Sequence, residues 1–149
     1  PEMNGLDFLL ELPASREVVA STVMMLSSVD YVEFVQSVRD RGVRVYLRKP
    51  VLHVDLLDAI FSIIGSDESP TDPLAADKIE TLDLLGKRIL LVEDNAINQK
   101  VALGLLAETN CTCKTAVNGE EAVQCVRDET FDLVLMDLQM PVKIGRAHV

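Results

Sequence analysis

Tryptophan is absent from the chain, and aromatic residues make up only 4% of it. Leu, Val, Ile and Met must therefore fill any core. Basic residues are scarce: 14 Lys and Arg stand against 24 Asp and Glu, a net charge of −10. That balance argues against binding nucleic acid through its phosphates, which needs a basic face. It also argues against docking to an anionic membrane surface. No apolar run approaches the roughly 18 residues of a membrane span. The opening Pro1-Glu2-Met3-Asn4-Gly5 lacks an initiator Met and a signal peptide's charged-then-apolar order, so the chain reads as cut from something longer. Cysteine is limited to Cys111, Cys113 and Cys125, an odd number that makes no disulfide framework. Cys111 and Cys113 have strand spacing and share one face. They read as buried reduced thiols, with weak metal or redox chemistry as the alternative. His53 and His148 stand apart from any Cys or carboxylate cluster, so no zinc site is expected.

What is present is a globular composition of about one domain's length: 149 residues, 48% apolar and 26% charged. Short apolar runs alternate with amphipathic stretches. Thr22-Val23-Met24-Met25-Leu26 reads as a buried strand. Ser28 and Asp30 offer caps for a helix to about Arg41, with Tyr31, Val35 and Val38 on one face and Gly42 as its stop. Val43-Arg44-Val45-Tyr46-Leu47 is a second strand. The pattern predicts a helix over 53–64, with Leu56, Leu57, Ile60 and Ile64 as its stripe and Gly65 ending it. Residues 66–86 are polar and acidic with two prolines at first, which reads as a linker; 74–85 has the pattern of a short amphipathic helix. Arg88-Ile89-Leu90-Leu91-Val92 suits a strand covered on both faces. A helix is expected over 98–109 with Val101, Leu105 and Leu106 inward, then a strand over 112–117. Asn118-Gly119 makes a turn, 120–128 a helix and 131–136 another buried strand. Such alternation implies right-handed crossovers and a parallel sheet with helices on both sides.

In open parallel sheets, functional groups gather at the carboxyl ends of strands. Glu93 and Asp94 follow one apolar strand, and Asp137 ends another. If the two strands are neighbours, three carboxylates converge. Like charges at one place repel unless a cation or proton joins them. A hard divalent cation such as Mg²⁺ suits an all-oxygen donor set.

These residues sit in longer motifs. Ile89-Leu90-Leu91-Val92-Glu93-Asp94-Asn95, Asn98-Gln99, Asn118-Gly119-Glu120-Glu121-Ala122 and Asp132-Leu133-Val134-Leu135-Met136-Asp137-Leu138-Gln139-Met140-Pro141 resemble the receiver domain of two-component response regulators. The Glu93-Asp94-Asn95-x-x-Asn98-Gln99 form resembles receivers of bacterial hybrid sensor histidine kinases. The earlier residues resemble the other half of the same family. Pro1-Glu2-Met3-Asn4-Gly5 is similar to the segment after the phosphoacceptor strand. Met24-Met25-Leu26-Ser27-Ser28 is similar to the fourth strand, and Val45-Tyr46-Leu47-Arg48-Lys49-Pro50 to the fifth. Residues 1–65 thus resemble the back half of one receiver and 87–142 the front half of the next, joined by linker 66–86. The tail 143–149 leaves the family pattern and reads as non-native sequence.

The resemblance implies roles by position. Asp137 is the expected phosphoacceptor. Asp94, Asp137 and the backbone carbonyl of Gln139 are the expected Mg²⁺ ligands, with Glu93 assisting through water. Ser27 is expected on one phosphoryl oxygen, Lys49 on another, and Tyr46 as the switch aromatic. Phosphoryl transfer needs such positioning and charge cancellation. The implied partner is a histidine kinase or a histidine phosphotransfer domain, and the implied location the cytoplasm, with an inner-membrane anchor left open for the parent. The chain carries no kinase ATP-binding motif; the parent implied is a hybrid histidine kinase. One alternative is a receiver-like interaction module that is not phosphorylated. A phosphatase with an Asp nucleophile is another, although Asp137-Leu138-Gln139 lacks the second Asp of that pattern. Because the halves are complementary, the expected fold is one α/β, doubly wound, parallel five-stranded sheet. It is flavodoxin-like, of order 2-1-3-4-5, assembled as a circular permutant. A linker of about 20 residues spans roughly 25 Å as a coil, enough to join the halves.

Overall fold

A computed structural model describes residues 5–11, 22–26, 35–36, 39–41, 43, 45–64, 83–138 and 140. Five strands form one sheet: β1 (Thr22–Leu26), β2 (Val45–Arg48), β3 (Arg88–Val92), β4 (Thr112–Ala116) and β5 (Leu133–Asp137). The described helices include α1 (Gly5–Glu11), α2 (His53–Ile64), α3 (Ala96–Ala107) and α4 (Gly119–Asp128). Every strand pairing is parallel, and the order is β2-β1-β5-β3-β4. Counted from β3 as the first strand and returning to β1 as the fourth, this is the permuted 2-1-3-4-5 order.

The reason lies in the strand sequences. β1 and β5 are buried at every position, and β3 at all but Arg88. A strand with no polar face is stable only between two layers of helices. Alternate residues serve opposite layers. Met24, Leu26, Leu90, Val92, Val134 and Met136 meet Phe8 of α1 and Ala122 and Val123 of α4. Val23, Met25, Ile89, Leu91, Leu133 and Leu135 meet Leu56, Ala59 and Ile60 of α2 and Leu106 of α3. The edge strands differ: β2 ends on exposed Arg48, and β4 exposes Thr112 and Lys114. Edge charges of this kind discourage pairing with other chains.

Boundaries and faces depart from expectation in several places. α3 begins at Ala96, because the Asn95 side chain caps it by accepting from the N–H groups of Ile97 and Asn98. Val101 is exposed rather than inward, while Leu106 is buried and Leu105 half-buried. A 3.6-residue period cannot place 101, 105 and 106 equally inward. In α2, Leu56 and Ile60 are buried as expected, but Ala59 joins them while Leu57 and Ile64 are half-buried. Leu84 and Leu85 are not helical; Leu84 is buried and its N–H donates to Thr109 O at 2.6 Å. The linker reading thus stops short of Asp83. Val35, Gln36, Arg39 and Asp40 are helical as expected. The expectations for Ser28, Asp30, Tyr31, Val38, Gly42, Gly65, the linker up to 82 and the tail 143–149 lie outside the described residues. No helix among the described residues is long and apolar enough to cross a membrane.

Candidate functional site

The strand order reverses between β3 and β5, because the chain leaves β3 for β4 and returns on the other side. A crevice opens at the carboxyl ends of strands at such a switch point. Glu93 and Asp94 leave β3 there, and Asp137 is the last residue of β5. One ligand oxygen from each lies within 4.8 Å of the others. Glu93 and Asp137 are buried and Asp94 is half-buried. An all-oxygen donor set of this size fits a hard divalent cation.

Lys49 enters the same crevice from the end of β2, two strands away from β5. Its backbone N–H donates to Leu26 O at 2.8 Å, which draws the end of β2 over the end of β1. Its Nζ then lies 2.8 Å from Asp137 Oδ2 and 3.6 Å from Glu93 Oε2. The peptide bond from Lys49 to Pro50 is cis. The ammonium places a positive charge beside two buried carboxylates that would otherwise repel each other.

Glu93 is further held by its neighbours. The Asn95 N–H and the Asn98 side-chain amide donate to Glu93 Oε1, at 3.1 Å and 3.3 Å. Gln99 Nε2 donates to the Glu93 carbonyl at 2.6 Å. Each of these comes from the cap and first turn of α3. Asn98 and Gln99 stand in the receiver-like motif, yet the sequence alone assigns them no task. Gly5 is a third residue without a sequence assignment. A Cβ at Gly5 would lie 2.8 Å from the carbonyl oxygen of Asp137, so only a glycine lets α1 start against that backbone.

The expected site residues thus divide. Glu93, Asp94, Asp137 and Lys49 come together. Tyr46 is half-buried on β2, and its hydroxyl accepts from Arg39 Nε at 3.2 Å. Ser27, which follows Leu26, and Gln139, which follows Leu138, lie outside the described residues. A cleft of about 210 Å³ adjoins Lys49 and Glu93, between the chain leading into α2 and the side of α3 that carries Val101, Ala102 and Leu105. Its lining joins charged Lys49 and Glu93 to apolar Val51, Leu56, Val101 and Leu105.

Other polar groups lie elsewhere. Glu129 is ion-paired with both Lys114 and Arg88, at the amino end of the sheet. Hydrogen bonds from Lys114 and then Arg88 hold its carboxyl below the ordinary carboxylate range. Cys111 and Cys113 are half-buried against the same apolar cluster, as their spacing predicts. Burial first, and then nearby Cys111, push the Cys113 thiol up to about 11.

A family model described as the response regulator receiver domain matches residues 89–147. The chain is similar to hybrid signal transduction histidine kinase B of Dictyostelium discoideum, 49% identical over 59 residues, 40% of this chain and 3% of that one. It is similar to response regulator sskA of Aspergillus fumigatus, 49% identical over 57 residues, 38% of this chain and 7% of that one. It is similar to the oxidative stress response two-component system protein SSK1 of Candida albicans, 39% identical over 81 residues, 54% of this chain and 11% of that one. The chain therefore spans less than an eighth of each of these proteins. A solved structure of full-length ShkA in complex with AMPPNP aligns with a TM-score of 0.38 and 28% identity, over 80% of this chain and 24% of that one. Domain model and relatives converge on two-component signalling proteins, and it is residues 89–147 of the chain that match the response regulator receiver domain.

Proposed function

We propose that the chain accepts a phosphoryl group from a phosphohistidine onto Asp137 and so acts as a receiver in a two-component phosphorelay. The observation that carries this reading is the contact of Lys49 Nζ with Asp137 Oδ2 at 2.8 Å beside Glu93 and Asp94. In this reading an Asp137 oxygen attacks phosphorus, the O–P bond forms and the P–N bond to the donor imidazole breaks. Lys49 moves from the carboxylate to a phosphoryl oxygen and neutralises it. Ser27 donates to another phosphoryl oxygen. Asp94, Asp137 and the Gln139 carbonyl hold Mg²⁺, with Glu93 assisting through water and kept in place by Asn95 and Asn98. The cation supplies charge cancellation on the phosphoryl oxygens. Tyr46 answers phosphorylation by changing its burial and its bond to Arg39.

The donor is a histidine kinase or a histidine phosphotransfer domain, met in the cytoplasm. Exposed Leu52, Ile97 and Val101 beside the carboxylate cleft support a protein donor, because apolar groups near a reacting site favour docking. Residues 1–65 act as the back half of one receiver and 87–142 as the front half of the next, so that one site draws on both.

The test is incubation of the chain with Mg²⁺ and acetyl phosphate, read by intact mass. One added phosphoryl group that disappears in Asp137→Asn and without Mg²⁺ is the expected result. No gain from a folded chain would overturn the proposal.

A further inference from the structure

The site is built across a seam. Lys49 belongs to residues 5–64, while Glu93, Asp94 and Asp137 belong to residues 83–140. The same division runs through the whole molecule. β1 pairs only with β2 on one side and with β5 on the other, in the register Thr22–Val134 to Met25–Asp137. Leu138 N–H donates to Met25 O at 3.0 Å across that line. Gly5 seats α1 on the Asp137 backbone, and α1 packs against α4. His53 Nε2 lies 3.9 Å from Glu108 Oε2, again across the seam and on the exposed surface. Both core clusters take residues from both sides.

We infer that this seam is an exchangeable interface, and that the second partner it fits is the same half of another copy of the chain. A half alone exposes an apolar strand edge, β1 or β5, and two apolar faces, so it needs its complement. That complement is identical whether it comes from the same chain or from a neighbour. Every seam contact recurs in a reciprocal pair, in which Lys49 of each copy meets Asp137 of the other. Only the connection through residues 65–82 chooses between the two forms. Short flexible connections in general give effective concentrations on the order of a millimolar. Single chains therefore dominate at micromolar concentration, and exchanged pairs form on refolding near a millimolar, as in domain swapping.

Short-range cross-linking tests this without reference to phosphorylation. In a background with Cys111, Cys113 and Cys125 replaced by Ser, one chain carries His53→Cys and another Glu108→Cys. The two are refolded together and treated with a short bis-maleimide. A covalent chain pair is expected after refolding at about 1 mM and should fall to about a hundredth of the chains at about 10 μM. A single chain with both substitutions should cross-link internally at the lower concentration. Absence of the internal link, absence of the chain pair, or equal pairing between two His53→Cys chains would each overturn the inference. Native mass of the unaltered chain refolded alike gives a second reading: a dimer fraction that grows with concentration is expected, and single chains throughout would overturn it.

Discussion

At the residue scale, Lys49 does most to decide whether the carboxylate crevice is stable. Asp137 is 1% exposed and Glu93 is 3% exposed, and the ammonium lies within ion-pair distance of both. Lys49→Met should therefore cost about 1–3 kcal/mol in urea unfolding, less than a fully buried pair because the lysine is partly solvated. Asp137→Asn in the same background should recover part of the loss by removing one of the stranded charges. Mg²⁺ should raise the melting temperature of the unaltered chain, since a ligand bound only by the folded state stabilises it, and Asp94→Asn should weaken that shift. Cys113 gives a separate pH dependence. Its thiol is raised from the usual 9 to about 11, so between those values the unfolded chain has lost a proton that the folded chain keeps. Stability should then fall as pH rises from about 9 to 11. Urea midpoints at pH 8 and pH 10.5 test this, and Cys113→Val should flatten the difference.

At the element scale, helix starts position the site. The Asn95 side chain caps α3 and its backbone N–H holds Glu93, so one residue fixes both the helix and the carboxylate. Asn95→Ala should cost about 1 kcal/mol through loss of the cap. α1 depends instead on absence of a side chain. Gly5→Ala places a Cβ against the backbone of Asp137 and Leu138, which cannot give way as a flexible side chain could. It should cost about 1–3 kcal/mol, as other overpacked positions do. Thermal unfolding measures both. At the far end of the sheet, Arg88, Lys114 and Glu129 tie β3 and β4 to the turn after α4.

At the scale of the whole molecule, the two halves should unfold together, because neither core cluster belongs to one half. Leu135 sits at the centre of β5, fully buried among residues from both. Leu135→Ala should cost about 2–5 kcal/mol. Hydrogen exchange should show β2 and β4, the two opposite edges, losing protection by a similar factor. Loss confined to β4 would mean that residues 83–140 unfold as a unit of their own.

Much of this was legible in the chain itself. Unbroken apolar runs at 23–26, 89–92 and 133–136 dictate strands covered on both faces, and acidic residues at the ends of two of them mark the crevice. Strand period and turn chemistry are local properties, so sequence carries them. The turn expected at Asn118-Gly119 is where α4 begins, with the Asn118 side chain capping it by accepting from Glu121 N–H. Other features depend on what lies opposite. Val101 has an apolar side chain at helical spacing, yet α3 turns it outward, because rotation of a helix is set by the surface beneath it. Leu84 falls in a stretch of linker composition and is buried only because the end of α3 is there to receive it. Gly5 looks like any loop glycine until the backbone of Asp137 comes against it. Lys49 and Asp137 are 88 positions apart, and their 2.8 Å contact exists because β1 pairs with β5. The sequence by itself determined which segments are strands and which residues can bear charge at their ends; the order in which those strands pair, which only the fold decides, made four of those residues into one site.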